Sequence, residues 1–98
     1  MQDGTYNQDR QPVTHASGYQ VGLWTETTKP ESLESVIEEI TRTWSGEWGV
    51  WTADSGRIFV EPCVWLPELP VARAIGRKYN QICVWCWATM KEIMIDEE

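Results

Sequence analysis

The 98-residue chain has little of the material from which catalytic and metal sites are usually built. It contains a single histidine, His15, and three cysteines, Cys63, Cys83 and Cys86. A small, odd number of cysteines does not form a disulfide framework, so we expect free thiols. A catalytic nucleophile needs a positioned base, and the chain has no second histidine, no GxSxG motif and no glycine-rich phosphate loop. We therefore expect no enzyme activity, no catalytic residues and no cofactor.

Cys83 and Cys86 have the CxxC spacing that elsewhere binds zinc or carries out thiol redox chemistry. They fall inside a predicted strand, residues 82–87, where residues three positions apart point to opposite faces. Their sulfurs could not then reach one metal ion, and there is no second CxxC pair. The sequence predicts no metal site.

Basic residues are also scarce, with 8 Lys and Arg against 15 Asp and Glu and a net charge of −7. Nucleic-acid backbones require basic clusters, so direct nucleic-acid binding is not expected. No apolar run approaches the ~18 residues that cross a bilayer, and no apolar leader follows a basic start. We expect a cytoplasmic protein that does not bind membranes and whose partner is a protein, preferably a basic one.

Residues 1–17 contain only Met1, Tyr6 and Val13 as sizeable apolar side chains. Such a segment buries too little surface to offset its ordering entropy, so it is predicted to be a disordered polar tail. Residues 18–98 are predicted to form a single α+β domain.

Two helices and four main strands are predicted for this domain. Thr28 and Glu31 fit a capping box before the first helix, Gly46 fits its end, and Asn80 fits the end of the second. The strands are residues 19–25, 48–52, 57–65 and 82–87, the helices are about 30–45 and 71–80, and residues 92–95 can form an extra C-terminal edge strand. This order predicts a ferredoxin-like βαββαβ fold, an antiparallel sheet in the order 4-1-3-2 with both helices on one face.

Alternation along these strands predicts two different apolar faces. The helix-side face is aliphatic, and it comprises Val21, Leu23, Val50, Ile58, Val60, Val64, Ile82 and Val84 together with Trp48. The opposite face is aromatic, and it comprises Trp24, Trp51, Phe59, Glu61, Cys63, Trp65, Cys83, Trp85 and Trp87. Four or five indoles exceed the apolar surface that a monomer usually exposes. Three alternatives stay open: the tail or loops cover this face, two subunits pair through it, or it binds another molecule.

Partner-binding residues are predicted on two surfaces. On the aromatic face, Glu61 among the indoles can hold an Arg or Lys by charge and cation–π attraction, although it can equally pair with Arg57 or with a basic residue at the sheet edge. On the first helix, Glu34, Glu38 and Glu39 form an acidic surface that can dock on a basic, nucleic-acid-binding groove of another protein.

The segments WGVWTADSGRIFVEPCVWLPE, ARAIGRKYNQICVWCW and KEI together resemble small uncharacterised proteins encoded by bacteriophages and prophages. The resemblance covers about residues 48–95 and implies no particular fold, activity or functional residue. It favours a phage accessory protein, a class that includes inhibitors of host defence nucleases, among them anti-CRISPR proteins.

We therefore expect a non-catalytic protein-binding module. In its sharpest form it is a phage-type inhibitor, acting in the host cytoplasm, that occludes a basic site on a defence or nucleic-acid-processing enzyme. The alternative is a self-associating structural or assembly protein whose aromatic face is a homodimer interface.

Overall fold

The computed structural model describes residues 1–96. Its architecture is α+β, as predicted, with an antiparallel sheet of eight strands and two helices. The strands are β1 (Gly4–Tyr6), β2 (Pro12–Val13), β3 (Tyr19–Gly22), β4 (Glu26–Thr28), β5 (Glu47–Thr52), β6 (Ile58–Leu66), β7 (Cys83–Cys86) and β8 (Lys91–Met94). The helices are α1 (Leu33–Thr43), preceded by a 3-10 turn (Pro30–Ser32), and α2 (Leu69–Lys78).

The sheet runs in the order β2-β1-β5-β6-β3-β7-β8, and β4 also pairs with β6. The long strand β6 is its centre, with β5 along one edge and β3 and β4 sharing the other. Residues 92–95 were expected to add an edge strand, and β8 does so against β7. The ferredoxin-like sheet of four strands is not confirmed, because the sheet has more strands and its complete order differs.

The N-terminal segment is folded onto the sheet, where the sequence predicted a disordered tail. Strand β1 pairs with β5, and β2 pairs with β1. The anchor is Tyr6, whose ring is 6% exposed and stacks on Trp48 with 5.1 Å between ring centroids. The Trp48 indole N–H also donates to the Asn7 carbonyl oxygen at 3.0 Å. One buried aromatic ring and this hydrogen bond order a segment whose average composition is polar.

Helix α1 packs on the sheet through a core that its own apolar stripe completes. This core contains Tyr6, Ile37, Ile40, Trp48, Val50, Ile58 and Val60, with Leu33, Val36 and Trp44 at its border. The predicted capping box does not form, because Thr28 ends strand β4 and its hydroxyl donates to the Lys29 carbonyl oxygen. Helix α1 begins only at Leu33, after the 3-10 turn that contains Pro30.

Helix α2 packs on the sheet through a second core, made of Val21, Ala72, Val84 and Ile95 with partly buried neighbours such as Val64. Its end was predicted correctly, since Asn80 adopts a left-handed conformation with φ of 59°. Ile82 was expected in this core but is 74% exposed, because β7 begins one residue later. Ile95 takes its place, and its side chain fits only because Gly76 has no Cβ.

Both cores use the same face of β6, through Val60 and Val64. Side chains two or four positions apart on a strand point to one side. The two helices therefore cover one face of the sheet and leave the other face without a helix.

Candidate functional site

We call the sheet face opposite the helices the second face. Residues that are directly opposite in the strand register share a face, and Phe59 pairs with Trp51, Cys63 with Glu47, and Trp65 with Gln20. Strand β6 is regular, so its odd-numbered residues all point to this side. Of the aromatic set predicted from the sequence, the second face carries Trp51, Phe59, Glu61, Cys63, Trp65, Cys83, Trp85 and Trp87.

Trp24 is the exception, because it lies on the helix side against Trp44 with 5.8 Å between ring centroids. Gly22 at the end of β3 pairs with Cys63, and Glu26 at the start of β4 pairs with Val60, so the three residues between these strands stand opposite two residues of β6. An extra residue of this kind is a β-bulge, and it interrupts the alternation from which the side of Trp24 was predicted. Thr25 takes the expected place on the second face, where its hydroxyl donates to Glu61.

One end of the second face is covered by the N-terminal segment. The His15 ring stacks on Trp65 at 5.3 Å and meets the edge of Trp87 at 5.4 Å, measured between ring centroids. The Trp65 indole N–H donates to the Ser17 carbonyl oxygen at 2.9 Å. We call these four residues the covered end.

A hydrogen-bond network lies beneath the covered end. The buried Gln20 amide donates to Glu47 at 2.8 Å and to the Cys63 sulfur at 3.2 Å, while its oxygen accepts from the Trp87 indole at 2.9 Å. Glu47 also contacts His15 Nε2 at 3.1 Å. Every polar group of the Gln20 side chain is thus occupied. The sequence signal for Gln20 was its strand parity, whereas nothing in the sequence indicated that His15 and Glu47 would meet.

The thiols on this face are poor nucleophiles. Burial raises the pKa of Cys63 to about 12, and the charges of Glu47 and Glu61 act in the same direction. Burial, with the Glu92 carboxylate as the next cause, raises the pKa of Cys83 to about 11. A thiol attacks as its thiolate, so both groups are inert near neutral pH. Cys86 points to the other side of β7, where its strand partner is Tyr19.

The remainder of the second face is open and forms a groove of about 720 Å³, which we call the aromatic groove. Its walls include Trp51, Glu61, Trp85, Trp87, Met90 and Glu92 from the sheet and the following turn, and residues 2–6 and 12–14 from the N-terminal segment. Trp51 is 46% exposed and stacks on Phe59 with 4.2 Å between centroids. No Lys, Arg or His is found among the described residues that line the groove.

The acidic surface of α1 is separate from the aromatic groove, because α1 lies on the opposite face of the sheet. Glu34, Glu38 and Glu39 are all exposed. Glu34 forms an ion pair with Arg10, and Glu39 forms one with Arg42. Glu38 has no basic group within 4.0 Å among residues 1–96.

A smaller cleft of about 440 Å³ adjoins this acidic surface. Trp24 and Glu26 line it from the sheet side, and Val36 and Glu39 line it from α1. The predicted binding residues are therefore distributed over two surfaces, and Trp24 belongs with the acidic helix instead of with the other indoles.

Comparisons with family models, with curated proteins and with solved structures found no match for this chain. Across residues 1–96, no group of three or more His, Cys, Asp and Glu side chains has the arrangement of a metal site. The same part of the chain contains no helix with the length and apolar character needed to cross a membrane.

Proposed function

We propose that this chain is a non-catalytic protein-binding module that recognises a basic surface on its partner. The observation that carries this proposal is the aromatic groove, in which Trp51 and Trp85 stand beside Glu61 and Glu92. Tryptophan is among the residues that contribute most to binding at protein interfaces. The carboxylates supply charge complementarity, which selects a basic partner and rejects an acidic one.

The acidic surface of α1 supports the same preference. Glu34, Glu38 and Glu39 project from an exposed helix, and the whole chain has a net charge of −7. A negative field of this size accelerates the encounter with a positively charged protein. The two surfaces lie on opposite sides of the sheet, so they would contact different parts of one partner or act at different stages of binding.

Inhibition of a nucleic-acid enzyme is the specific form of this proposal. The substrate channel of such an enzyme is basic because it holds a phosphate backbone. An acidic module seated there would compete with the nucleic acid without any chemistry of its own. The charge of the chain and its resemblance to phage-encoded proteins support this role, which would be exercised in the host cytoplasm.

Self-association through the second face is the alternative function. The exposed Trp51 favours it, because pairing would remove this indole from water. A typical interface would cover about 800 Å² on each subunit. However, the groove also contains Asp3, Glu61 and Glu92. Two copies pairing face to face would bring these carboxylates together, and like charges oppose association. The charge of the groove therefore favours a different, basic partner.

We also propose that part of the sheet is a ferredoxin-like unit with added edges. The support is the neighbour order β5-β6-β3-β7, which has the 2-3-1-4 pattern when only these four strands and the two helices are considered. Strands β1, β2 and β8 would then be additions at the two sides.

Affinity capture with matched variants tests the binding function. The wild-type chain, Glu61→Gln/Glu92→Gln and Glu34→Gln/Glu38→Gln/Glu39→Gln would be immobilised and exposed to bacterial lysate at 50 and ~300 mM salt. We expect a basic protein that is retained at low salt, is lost from at least one variant and is displaced by nucleic acid. Retention that is the same on all three chains, or a chain that only binds itself in sedimentation, would contradict the proposal.

A further inference from the structure

The aromatic groove owes its depth to a glycine. Gly49 belongs to β5, where it stands directly opposite Glu61 of β6 on one side and opposite Thr5 of β1 on the other. The nearest atoms to a Cβ built on Gly49 would be the Gly4 carbonyl oxygen at 3.6 Å and the Glu61 carbonyl oxygen at 4.0 Å. The backbone there is ordinary, so the glycine is not needed for its conformation. Its consequence is a recess beside Glu61 in the middle of the sheet.

Glu61 lies beside this recess, and its side chain is turned toward Gly22 on β3, where it is held in place. The Thr25 hydroxyl donates to its Oε2 atom at 2.9 Å. A Cβ on Gly22 would approach that oxygen to 3.1 Å, which shows that the carboxylate lies across Gly22. The alternative ion pair with Arg57 is not formed, and no basic group of residues 1–96 is within 4.0 Å of the carboxylate. The groove therefore carries a half-buried negative charge that has no cation beside it within residues 1–96.

The indoles around this carboxylate are held by their neighbours. Trp51 stacks on Phe59 with an angle of 14° between the ring planes. The residue is 46% exposed and lines the groove. On the other side, Trp85 meets Trp87 edge to face at 6.3 Å, and Trp87 is tied to Gln20. A wall fixed in this way loses little conformational entropy when a ligand binds.

We infer that the aromatic groove binds an arginine side chain of the partner, with its guanidinium on the Glu61 carboxylate and against the Trp51 indole. A guanidinium is planar, stacks on aromatic rings and donates two parallel hydrogen bonds to a carboxylate, whereas a lysine ammonium is a compact, strongly hydrated point charge. Asp3 and Glu92 at the rim add to the attraction. The inference rests on the proposed function and specifies the chemistry of its ligand.

The test is a titration in which NMR monitors the signals of the seven indole N–H groups. The probe is N-acetyl-arginine amide, and the lysine and citrulline amides are its matched analogues. We expect shifts of the Trp51, Trp85 and Trp87 signals, with arginine binding more tightly than lysine and citrulline binding least. Equal binding of citrulline, or shifts confined to other indoles, would overturn the inference.

Two variants locate the site. Glu61→Gln removes the charge without changing the shape, and we expect it to weaken arginine binding by about tenfold or more. Gly49→Val fills the recess and leaves all charges, and we expect it to abolish binding. Glu31→Gln is the control, because it removes one exposed charge from the 3-10 turn before α1 and Glu31 does not line the groove. Should Gly49→Val fail to fold, Glu61→Gln against Glu31→Gln decides the question alone.

The same measurements separate this inference from the proposed function. If the arginine probe leaves the groove signals unchanged while a captured basic partner is lost from Glu34→Gln/Glu38→Gln/Glu39→Gln, the inference is wrong and the proposed function stands. If neither probe nor partner binds, both fail. If sedimentation shows a dimer that Glu61→Gln dissociates, the occupant of the groove is a second copy and the inference is again wrong.

Discussion

At the scale of single residues, Gln20 connects the groups beneath the covered end. Its side chain joins Glu47, Cys63 and Trp87 beneath the stacked His15 ring. Each of these groups is at least partly withdrawn from water, and the Trp87 indole N–H has Gln20 as its hydrogen-bond partner. A buried polar group that loses its partner costs more than the hydrogen bond contributes on average.

Replacing this residue tests the network. We expect Gln20→Leu to lower the free energy of unfolding by about 1–3 kcal/mol, because Trp87 Nε1 loses its partner and Glu47 Oε1 keeps only His15. The measurement is the free energy of unfolding in urea, with tryptophan fluorescence as the probe. The control is Gln2→Ala, which removes an exposed side chain. It leaves in place the Gln2 main-chain carbonyl oxygen, which accepts a hydrogen bond from the Tyr6 hydroxyl. Equal stability of the two variants would show that the network contributes nothing.

Cys63 gives a prediction about alkaline pH. Its pKa is about 12 in the folded chain against an ordinary value of 9.0, so the unfolded state loses the proton first as the pH rises. Stability from this thiol is therefore complete below pH 9 and is lost progressively above it. Between pH 8 and pH 10 the loss is about 1.4 kcal/mol.

The variant Cys63→Ala isolates this contribution from the other groups that titrate at high pH. We expect the wild-type free energy of unfolding to fall more steeply than that of Cys63→Ala between pH 8 and pH 10. Parallel pH profiles would mean that the thiol is not shielded from water in the folded chain.

At the scale of elements, the N-terminal strands are the main difference between sequence and structure. The average composition of residues 1–17 predicted a disordered segment. An average of this kind is insensitive to one aromatic side chain that becomes buried in the core. Tyr6 is that ring, and it meets Trp48 only because β1 pairs with β5, a contact between residues more than forty positions apart. Local patterns cannot predict such a pairing.

Truncating the ring tests whether the segment is part of the fold. We expect Tyr6→Ala to destabilise the chain by about 3 kcal/mol, the cost of a large cavity in a core. Val13→Ala in β2 is the control, because Val13 is only half-buried and its loss removes less contact. A melting temperature that does not change in Tyr6→Ala would indicate that the N-terminal segment is disordered, as its composition predicted.

Strand alternation predicted most of the second face, since it requires only that a strand be regular. Strand β6 is regular, and its four residues Phe59, Glu61, Cys63 and Trp65 lie as predicted. Trp24 does not, because the bulge opposite Glu61 and Pro62 has no recognisable sequence signal. The aromatic groove itself could not be predicted, because it depends on register, which sets Gly49 opposite Glu61.

At the scale of the whole molecule, the cover over the second face is partial. The N-terminal segment occupies the end with Trp65, and the end with Trp51 is open. Cover by the N-terminal segment, one of the alternatives drawn from the sequence, therefore applies to one part of this face, and the open part is the one for which we propose binding. The open part combines indole surface with carboxylates, which is why we assign it to a basic partner.

Salt dependence is the prediction that belongs to this scale. Exposed charges are screened beyond about 8 Å at physiological ionic strength. We expect the affinity for a basic partner to fall markedly between 50 and ~300 mM salt, mainly through slower association, and surface plasmon resonance separates the two rates. An affinity that is independent of salt would indicate apolar pairing, as in a homodimer.

The most direct test of the central claim is a comparison of Glu61→Gln and Glu31→Gln with the same arginine-containing ligand. Both substitutions remove one negative charge, so any difference reports position and not net charge. We predict that calorimetry will give a dissociation constant about tenfold or more above wild type for Glu61→Gln and an unchanged constant for Glu31→Gln, whose side chain is exposed and does not line the groove. Equal constants for the two variants would contradict the account, because the groove would then contribute nothing that the surface charge does not.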